Sequence, residues 1–355
     1  MNKTAKPILK IGLIGCGRIA QLAHLKILPR LSDVELVAIA DTDNERLSEA
    51  KRLAPQARTF TNYPELLATT QTEAVIICLP NALHAEATIA ALNFNNHVYL
   101  EKPLATSLKD AERVIETWQN KKNLVGMIGF NYRFHRSYQA IKETIRSEKL
   151  ARPILVRSAF VSALRSLPMW KHSRSSGGGV LFDLASHHID LFRFLFEQEV
   201  CEVSAKIWTR HTEGDCALLH LSFPSGLRTQ SFFSLCSIEE NRFEIYDEAG
   251  RLSLETTLSD RWETVDPKLT RVRIKRLWNT LRSFTVNPYF FRKNFEEAFL
   301  SPYRGALINF ADAIKEKGGV SPDFSDALQN IKVTEAAEES ARTGKVVYLG
   351  NQEKA

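Results

Sequence analysis

The sequence predicts two α/β domains: a doubly wound Rossmann domain with a parallel sheet, then an α+β domain with a large, mainly antiparallel sheet. Two observations predict this division. In residues 1–130, short continuous apolar runs alternate with segments of helical periodicity, a pattern typical of parallel strands buried on both faces. From about Ala151, longer runs with period-two alternation are separated by turn signals, which indicates antiparallel strands with one covered face. We therefore expect domains at 1–130 and 131–355.

Apolar runs in the first domain predict its parallel strands: Ile8–Ile14, Glu35–Ala40, Ala74–Leu79, His97–Leu100 and Leu124–Ile128. Helical periodicity between the runs predicts the helices that cover this sheet: Ile19–Leu31, Asn44–Leu53, Ala85–Leu92 and Leu108–Gln119. Repeated strand–helix units of this kind fold into an open parallel sheet with helices on both faces.

Alternating runs in the second domain predict the strands Ile154–Phe160, Glu202–Arg210, Ala217–Phe223, Arg228–Leu235 and Arg242–Tyr246. Helical periodicity there predicts three helices: Val180–Phe196, Gly305–Lys317 and Ser325–Thr343. The basic, aromatic stretch 260–298 has no regular pattern, and its role stays open.

Composition excludes several classes of protein. The net charge of +6 is small for 355 residues, so we expect no nucleic-acid partner. Five scattered cysteines without a paired motif indicate reduced thiols rather than a disulfide framework or a metal site. No apolar run approaches the roughly 18 residues of a membrane span. We therefore expect a cytoplasmic protein with no membrane partner and no metal.

A glycine-rich loop follows the first strand and predicts a dinucleotide site. Gly15 and Gly17 allow a tight turn and a close approach of backbone to a pyrophosphate, which the N–H groups around Arg18 and Ile19 can bind. Asp41 ends the second strand, 21 residues after Ala20, at the spacing of a carboxylate that binds ribose hydroxyls. This favours NAD over NADP. A helix cap or turn is the alternative role of Asp41, and the nearby Arg46 could weaken the preference.

Two further segments carry candidate catalytic groups. Lys102 follows the fifth strand, at the strand end where open α/β sheets bind ligands. Asp183, His187 and Asp190 follow a run of three glycines at helical spacing, so all three share one face and His187 could serve as an oriented acid or base. The alternatives are a surface lysine, a core histidine bonded to a carboxylate, and an uncommon metal site.

Together these segments resemble the glucose–fructose oxidoreductase/inositol dehydrogenase (Gfo/Idh/MocA) family over nearly the whole chain. The resemblance is carried by the glycine loop, Pro80-Asn81 with His84, Glu101-Lys102-Pro103, the 129–134 segment and 177–190. It implies that Lys102, Asp183 and His187 are catalytic and also contact the substrate. It further implies that the cofactor is contacted by Pro80, Asn81, His84, Glu101 and Lys102.

The family resemblance implies an NAD-dependent oxidoreductase that acts on a hydroxyl-bearing carbon of a sugar, inositol or sugar derivative. It also implies a homodimer or homotetramer formed through the C-terminal sheet. Two alternatives of the same fold are an NAD-dependent glycosidase, which returns its cofactor unchanged, and a non-catalytic NAD-sensing regulator. The substrate, the direction of reaction and the oligomeric state stay open.

Cations cluster in the loop before the glycine run. We expect Trp170 and Lys171, together with Arg133 of the 129–134 segment, to contact the substrate. Arginine and lysine suit a carboxylate or phosphate, and tryptophan stacks on a sugar ring or base. If these cations are unpaired, the loop favours an anionic sugar derivative, whereas a solvated loop is the alternative. The cations concerned are Arg165, Lys171, His172 and Arg174.

Overall fold

The structure is a computed structural model and describes residues 8–147, 152–248, 250–256, 262–265 and 288–350. Most of the basic, aromatic stretch 260–298 lies outside these residues. Within the described part of the chain, no helix has both the length and the apolar character needed to cross a bilayer.

Contacts within the chain define two compact units. The first comprises Met1–Asn131, Ser175–Gly177 and Tyr303–Ile331, and the remaining residues form the second. The sequence prediction assigned everything from residue 131 onward to the second domain, so Asn131, Ser175–Gly177 and Tyr303–Ile331 are assigned differently.

Aromatic packing explains why 303–331 belongs to the first unit. The ring of Phe310 packs edge-on against Tyr99 at 5.8 Å, and that of Phe324 against Trp118 at 5.5 Å. The N–H of Ile128 also donates to the carbonyl of Pro322 at 3.2 Å. Burial of large aromatic rings is a strong driving force for packing.

The first unit contains a six-stranded, all-parallel sheet in the order β3-β2-β1-β4-β5-β6. Its strands are β1 (Leu9–Ile14), β2 (Val34–Ala40), β3 (Arg58–Phe60), β4 (Ala74–Ile77), β5 (His97–Leu100) and β6 (Gly126–Ile128). Its N-terminal α-helices are α1 (Leu25–Ile27), α2 (Asn44–Leu53), α3 (Tyr63–Thr69), α4 (His84–Asn93) and α5 (Leu108–Gln119). This architecture confirms the predicted Rossmann fold.

The first predicted helix, Ile19–Leu31, differs in detail from the expectation. It consists of a π-helical turn at Ala20–His24, the short α1, and a 3-10 turn at Leu28–Arg30. Pro29 lacks a backbone N–H and its ring opposes continued α geometry, so the α-helical hydrogen bonds end before it. The sequence analysis also missed β3 and α3, which are too short to show a clear period.

The second unit is built on an eight-stranded mixed sheet in the order β13-β12-β11-β7-β10-β9-β8-β14. Its strands are β7 (Leu155–Ala163), β8 (Glu202–Trp208), β9 (Cys216–Ser222), β10 (Arg228–Ser237), β11 (Glu240–Tyr246), β12 (Arg251–Glu255), β13 (Trp262–Val265) and β14 (Val347–Tyr348). The pair β7–β10 is parallel and the other pairs are antiparallel, which confirms a mainly antiparallel sheet.

Helices α6 (Arg136–Arg146) and α7 (Ser186–Phe196) belong to the second unit. Helix α7 buries Ile189, Leu191, Phe192 and Leu195 in the core cluster that covers one face of the sheet. The last two helices, α8 (Pro288–Glu316) and α9 (Phe324–Thr343), begin before the predicted starts and end within a residue of the predicted ends.

Candidate active site

The dinucleotide loop joins β1 to the π-helical turn. Gly15 has φ +91°, and a Cβ at this position would lie 2.6 Å from the carbonyl oxygen of Cys78, so only glycine fits. At Gly17 the opposite holds, because an added Cβ would meet nothing within 4 Å. Gly15 thus allows close packing against the chain after β4, while Gly17 leaves open space beside the backbone. Arg18 is exposed and Ile19 half-buried, and both come directly before the π-helical turn that begins at Ala20.

Asp41 follows β2 and is held against this loop by backbone hydrogen bonds. Its Oδ2 accepts from the N–H of Cys16 at 2.7 Å, and its Oδ1 accepts from the N–H of Asp43 at 2.9 Å. Burial and the adjacent Asp41 charge raise the pKa of the Cys16 thiol to about 12, so this cysteine stays protonated. Arg46, which could have neutralised Asp41, instead faces Asp43 at 3.3 Å.

His84 ties together the two loops that follow β4 and β5. Its ring is buried, with Nδ1 2.6 Å from the carbonyl oxygen of Pro103 and Nε2 2.8 Å from that of Leu79. Burial lowers the pKa of His84 below its ordinary value, against the opposing effect of the two carbonyls. Asn81 is also buried, and its amide donates to the carbonyl of Gly177 at 2.8 Å. Both ring nitrogens of His84 and the amide nitrogen of Asn81 therefore contact backbone carbonyls, while Pro80 beside them is half-buried.

Glu101 has a buried partner that the sequence analysis missed. Its Oε1 lies 2.7 Å from Nε2 of His24, a fully buried histidine at the end of the π-helical turn. A Cβ on Gly129 would lie 3.1 Å from Oε2 of Glu101, so the glycine makes room for this carboxylate. The one signal in the sequence for His24 was a polar residue among apolar neighbours in a predicted helix.

Lys102 therefore lies between two fixed points in the chain. Glu101 on one side is held by His24, and the carbonyl of Pro103 on the other side is held by His84. Lys102 itself is half-buried, whereas both neighbours are buried. Hydrogen bonds at both flanks restrict where the lysine side chain begins, as a positioned catalytic group requires.

In the second unit, Asp183 forms an ion pair with Lys171. The ammonium of Lys171 lies 2.8 Å from each carboxylate oxygen, and the two side chains are 21% and 17% exposed. The Lys171 ammonium also lies 5.3 Å from the centre of the Trp170 ring. Two residues predicted to bind substrate are thus gathered beside a predicted catalytic carboxylate. Asp183 belongs to a π-helical turn, Leu181–Ala185, that leads into α7.

The expectation of unpaired cations in this loop is wrong for two residues. Lys171 is paired with Asp183, and Arg174 forms a two-point ion pair with Glu338, one contact of which measures 2.9 Å. The guanidinium of Arg174 also lies 4.3 Å from the centre of the Phe182 ring. Their partners, Asp183 and Glu338, lie 12 and 164 positions further along the chain. A local sequence pattern does not reveal such pairs.

The adjacent histidines of α7 have different environments. His187 is half-buried and stacks on Tyr132, with ring centres 4.6 Å apart and planes at 23°. His188 is fully buried and hydrogen-bonds to Ser158 and Asn241, each at 3.0 Å. Burial lowers the pKa of His188 to about 4, so it is a neutral core residue at physiological pH. The open environment of His187 suits proton exchange, and its stacking partner Tyr132 was missed in the sequence.

Arg133 was expected to contact substrate, but the structure gives it another partner. It donates from Nε and Nη2 to the two carboxylate oxygens of Asp190, at 2.9 and 2.6 Å, and the two side chains are 7% and 1% exposed. This buried ion pair engages the Arg133 guanidinium, and the substrate contact stays a prediction. Asp190, which was predicted to share one helix face with Asp183 and His187, is buried with Arg133.

Asp183 and Asp190 were considered in the sequence analysis as ligands of an uncommon metal site. In the structure they form ion pairs with Lys171 and Arg133. A second group of possible metal-binding atoms comes from Asp215, Cys216 and Cys236. One carboxylate oxygen and the two sulfur atoms lie within 4.8 Å of one another. Asp215 in that group already accepts three backbone N–H donors, so its carboxylate stabilises a turn. The prediction that the protein needs no metal stays a prediction.

Two family models together match nearly the whole chain. Residues 9–151 match the oxidoreductase family with an NAD-binding Rossmann fold, and residues 142–349 match the C-terminal alpha/beta domain of the same family. The chain therefore belongs to the Gfo/Idh/MocA oxidoreductase family.

Among its relatives, myo-inositol 2-dehydrogenase of Thermotoga maritima is 32% identical over 197 residues, which are 56% of this chain and 58% of that protein. The match thus covers little more than half of the relative. The uncharacterized oxidoreductase YrbE of Bacillus subtilis is 25% identical over 350 residues, 97% of each chain. The solved structure of the WlbA dehydrogenase from Bordetella pertussis, in complex with NADH and UDP-GlcNAcA, has a TM-score of 0.81 at 21% identity. It covers 98% of this chain and 99% of the other, and the likeness shows the fold.

Proposed function

We propose that this protein is an NAD-dependent dehydrogenase that oxidises a hydroxyl-bearing carbon of a sugar, an inositol or a sugar derivative, or reduces the corresponding carbonyl. The observation that carries the proposal is the contrast within α7. His188 is buried and neutral, whereas His187 is half-buried, stacked on Tyr132 and one helical turn from the half-buried Asp183. A core-only role for this segment would not leave an imidazole and a carboxylate accessible together. The inositol dehydrogenase relative supports a polyol-like substrate.

The residues of the dinucleotide loop fit a bound NAD. Gly17 has open space where a Cβ would stand, and Asp41 presents a carboxylate whose orientation is set by two backbone donors. The loop from Gly15 to Ile19 would bind the pyrophosphate, and Asp41 the adenosine ribose. NAD supplies the hydride acceptor for oxidation.

The chain's own residues handle the proton and the charge. His187 takes the substrate hydroxyl proton at Nε2, because its Nδ1 is buried. Lys102, fixed by the His24–Glu101 and His84–Pro103 contacts, stabilises the negative charge that develops on the oxygen. Asp183 accepts a hydrogen bond from a substrate hydroxyl, and Lys171 holds its carboxylate in place.

Cofactor preference is proposed to be NAD rather than NADP. A 2′-phosphate would face the Asp41 carboxylate, which is repulsive, and Arg46 is directed to Asp43 instead of offering a compensating charge. Comparing kcat/KM for the two cofactors tests this preference directly.

Formation of NADH across a panel of sugars, inositols, sugar acids and nucleotide sugars tests the activity. Net NADH production is expected with at least one of these classes. An NAD-dependent glycosidase would release product without net NADH, and a non-catalytic sensor would bind NAD without turnover. Either of these results would refute the proposed reaction.

We further propose that the protein forms a homodimer or homotetramer through the open face of the C-terminal sheet. On that face Trp208 stacks on Phe232 at 6.4 Å, and Trp208 and Leu218 are 37% and 38% exposed. Light scattering after size-exclusion chromatography would measure the mass. Replacing Trp208 and Leu218 with aspartate should lower it, and an unchanged mass would contradict this surface.

A cytoplasmic location is proposed from the sequence, in which five scattered cysteines without a paired motif indicate reduced thiols. Fractionation of the source cells, with the protein located by antibody, tests the location.

A further inference from the structure

A cavity of about 200 Å³ lies in the second unit, beside the loop that carries Lys171. Three of the side chains that line it are basic: Arg165 and His172 from this loop, and His211 from the turn before β9. The hydroxyl side chains of Ser166 and Thr212 add hydrogen-bond donors. The cavity therefore combines these polar groups with an apolar wall formed by Leu164, Leu167 and Leu235.

Asp215 is the acidic residue at this cavity, and its carboxylate is committed to the local backbone. Its oxygens accept N–H donors from Arg210 at 2.8 Å, His211 at 2.7 Å and Thr212 at 2.9 Å. Burial acts to raise the pKa of Asp215, but these backbone donors outweigh that effect and lower it. The carboxylate thus shapes the turn that presents His211 and Thr212.

The size of the cavity restricts what it can hold. Sites that enclose a whole small molecule have volumes of about 300–1,000 Å³. A cavity of about 200 Å³ is below that range and suits one charged group of a larger ligand. Arginine binds phosphate and carboxylate groups through a planar fork of N–H donors.

The position of the cavity connects it with the proposed catalytic groups. His172 and Lys171 belong to the same 3-10 turn, Met169–His172, and the Lys171 ammonium holds Asp183. Lys171 and Arg174 are paired with Asp183 and Glu338, so their charges are compensated within the chain. His172 uses Nε2 to donate to the carbonyl of Leu167 at 3.1 Å, which orients the ring within the loop.

We propose that this cavity binds the phosphate or carboxylate group of an anionic sugar substrate through Arg165 and His211, with the hydroxyl groups of Ser166 and Thr212 as further donors. The inference rests on the proposed dehydrogenase function and adds the class of substrate to it. A neutral polyol offers no charge to match the Arg165 guanidinium.

Binding of inorganic phosphate tests the subsite without requiring turnover. Phosphate is titrated by ³¹P NMR into the full-length protein in the presence of saturating NADH, which keeps phosphate from the dinucleotide loop. Arg165→Ala should weaken phosphate binding about 10- to 100-fold, the effect of losing a hydrogen bond to a charged group. Arg136→Ala is the matched control, because Arg136 is an exposed arginine of the same unit that does not line the cavity. It should leave phosphate binding unchanged.

Kinetics with matched substrates tests the consequence for specificity. We compare kcat/KM for glucose, glucose 6-phosphate and glucuronate, which separates a phosphate preference from a carboxylate preference. At least one anionic substrate should exceed glucose, and Arg165→Ala should reduce that ratio about 10- to 100-fold through KM.

The failure of the subsite and the failure of the dehydrogenase function are distinguishable. Phosphate binding that is the same in the wild-type protein and Arg165→Ala would overturn the subsite, even if neutral sugars are oxidised. Equal losses in Arg165→Ala and Arg136→Ala would overturn it as well. Absence of NADH formation with every substrate, together with Arg165-dependent phosphate binding, would refute the dehydrogenase proposal and leave the anion site supported.

Discussion

Replacing Arg133 with methionine should destabilise the protein, because it removes one partner of a buried ion pair. The guanidinium donates twice to Asp190 and lies 5.4 Å from the centre of the Phe194 ring. Methionine loses both the ion pair and this cation–π contact, but its sulfur can pack against the ring. Leaving one charge of a buried pair uncompensated costs about 3–5 kcal/mol. Arg193 lies 3.9 Å from the same carboxylate and provides partial compensation. We therefore expect Arg133→Met to lower the free energy of unfolding by about 3 kcal/mol, the lower limit of that range.

The double variant Arg133→Met/Asp190→Leu should recover most of this loss. Replacing both members of a buried pair with apolar side chains is often neutral, so we expect a free energy within about 1 kcal/mol of wild type. Arg193 is not left alone in this variant, because Glu199 accepts from it at 2.7 Å.

Urea-induced unfolding followed by circular dichroism measures the stability, and kcat and KM are measured on the same preparations. If Arg133 is structural, the double variant regains both stability and KM. Recovery of stability with a persistently raised KM would refute our interpretation and return Arg133 to the substrate site. The exposed control Arg136→Met should change stability by no more than about 0.5 kcal/mol.

Three further predictions concern the proposed chemistry and the core. His187→Ala should lower kcat by about 10²–10⁴-fold with an unchanged NAD dissociation constant, and near-normal turnover would exclude His187 from proton transfer. Asp41→Ser should raise the ratio of kcat/KM for NADP to that for NAD, and a wild-type preference for NADP would contradict the role of Asp41. Burial lowers the pKa of His188 from 6.5 to about 4, so the unfolded state binds more protons between these values. Stability should therefore fall by about 3 kcal/mol as the pH drops through this window. His188→Gln should flatten that slope in pH-dependent urea unfolding, and an unchanged slope would contradict the assignment.

Much of the first unit was predictable because its signals are local. A strand buried on both faces must be apolar throughout, and β4 and β5 show such runs in the sequence. The helices α2 and α5 have the predicted bounds, and both begin at capping residues, Asp43 and Ser107, whose side chains accept backbone N–H groups. Caps and periodicity act over a few residues, so the sequence displays them directly.

The assignment of 303–331 to the first unit was not predictable in the same way. Its helical period was evident, but the period does not specify which sheet an apolar face covers. That choice depends on the fit of Phe310 against Tyr99 and of Phe324 against Trp118, residues far apart in the chain. Packing of this kind is decided by shape in three dimensions.

The sequence by itself determined the type of each domain, the position of the dinucleotide loop, and the placement of Lys102, Asp183 and His187 at strand ends or on a helix after glycines. These features follow from backbone geometry and short-range spacing. Only the tertiary structure decided which ionisable side chains contact one another. Lys171 is paired with Asp183 across 12 positions, Glu101 with His24 across 77, and Arg133 with Asp190 across 57. Coulomb attraction and desolvation depend on distance in space and on burial, and neither quantity is encoded by the local pattern of residue types.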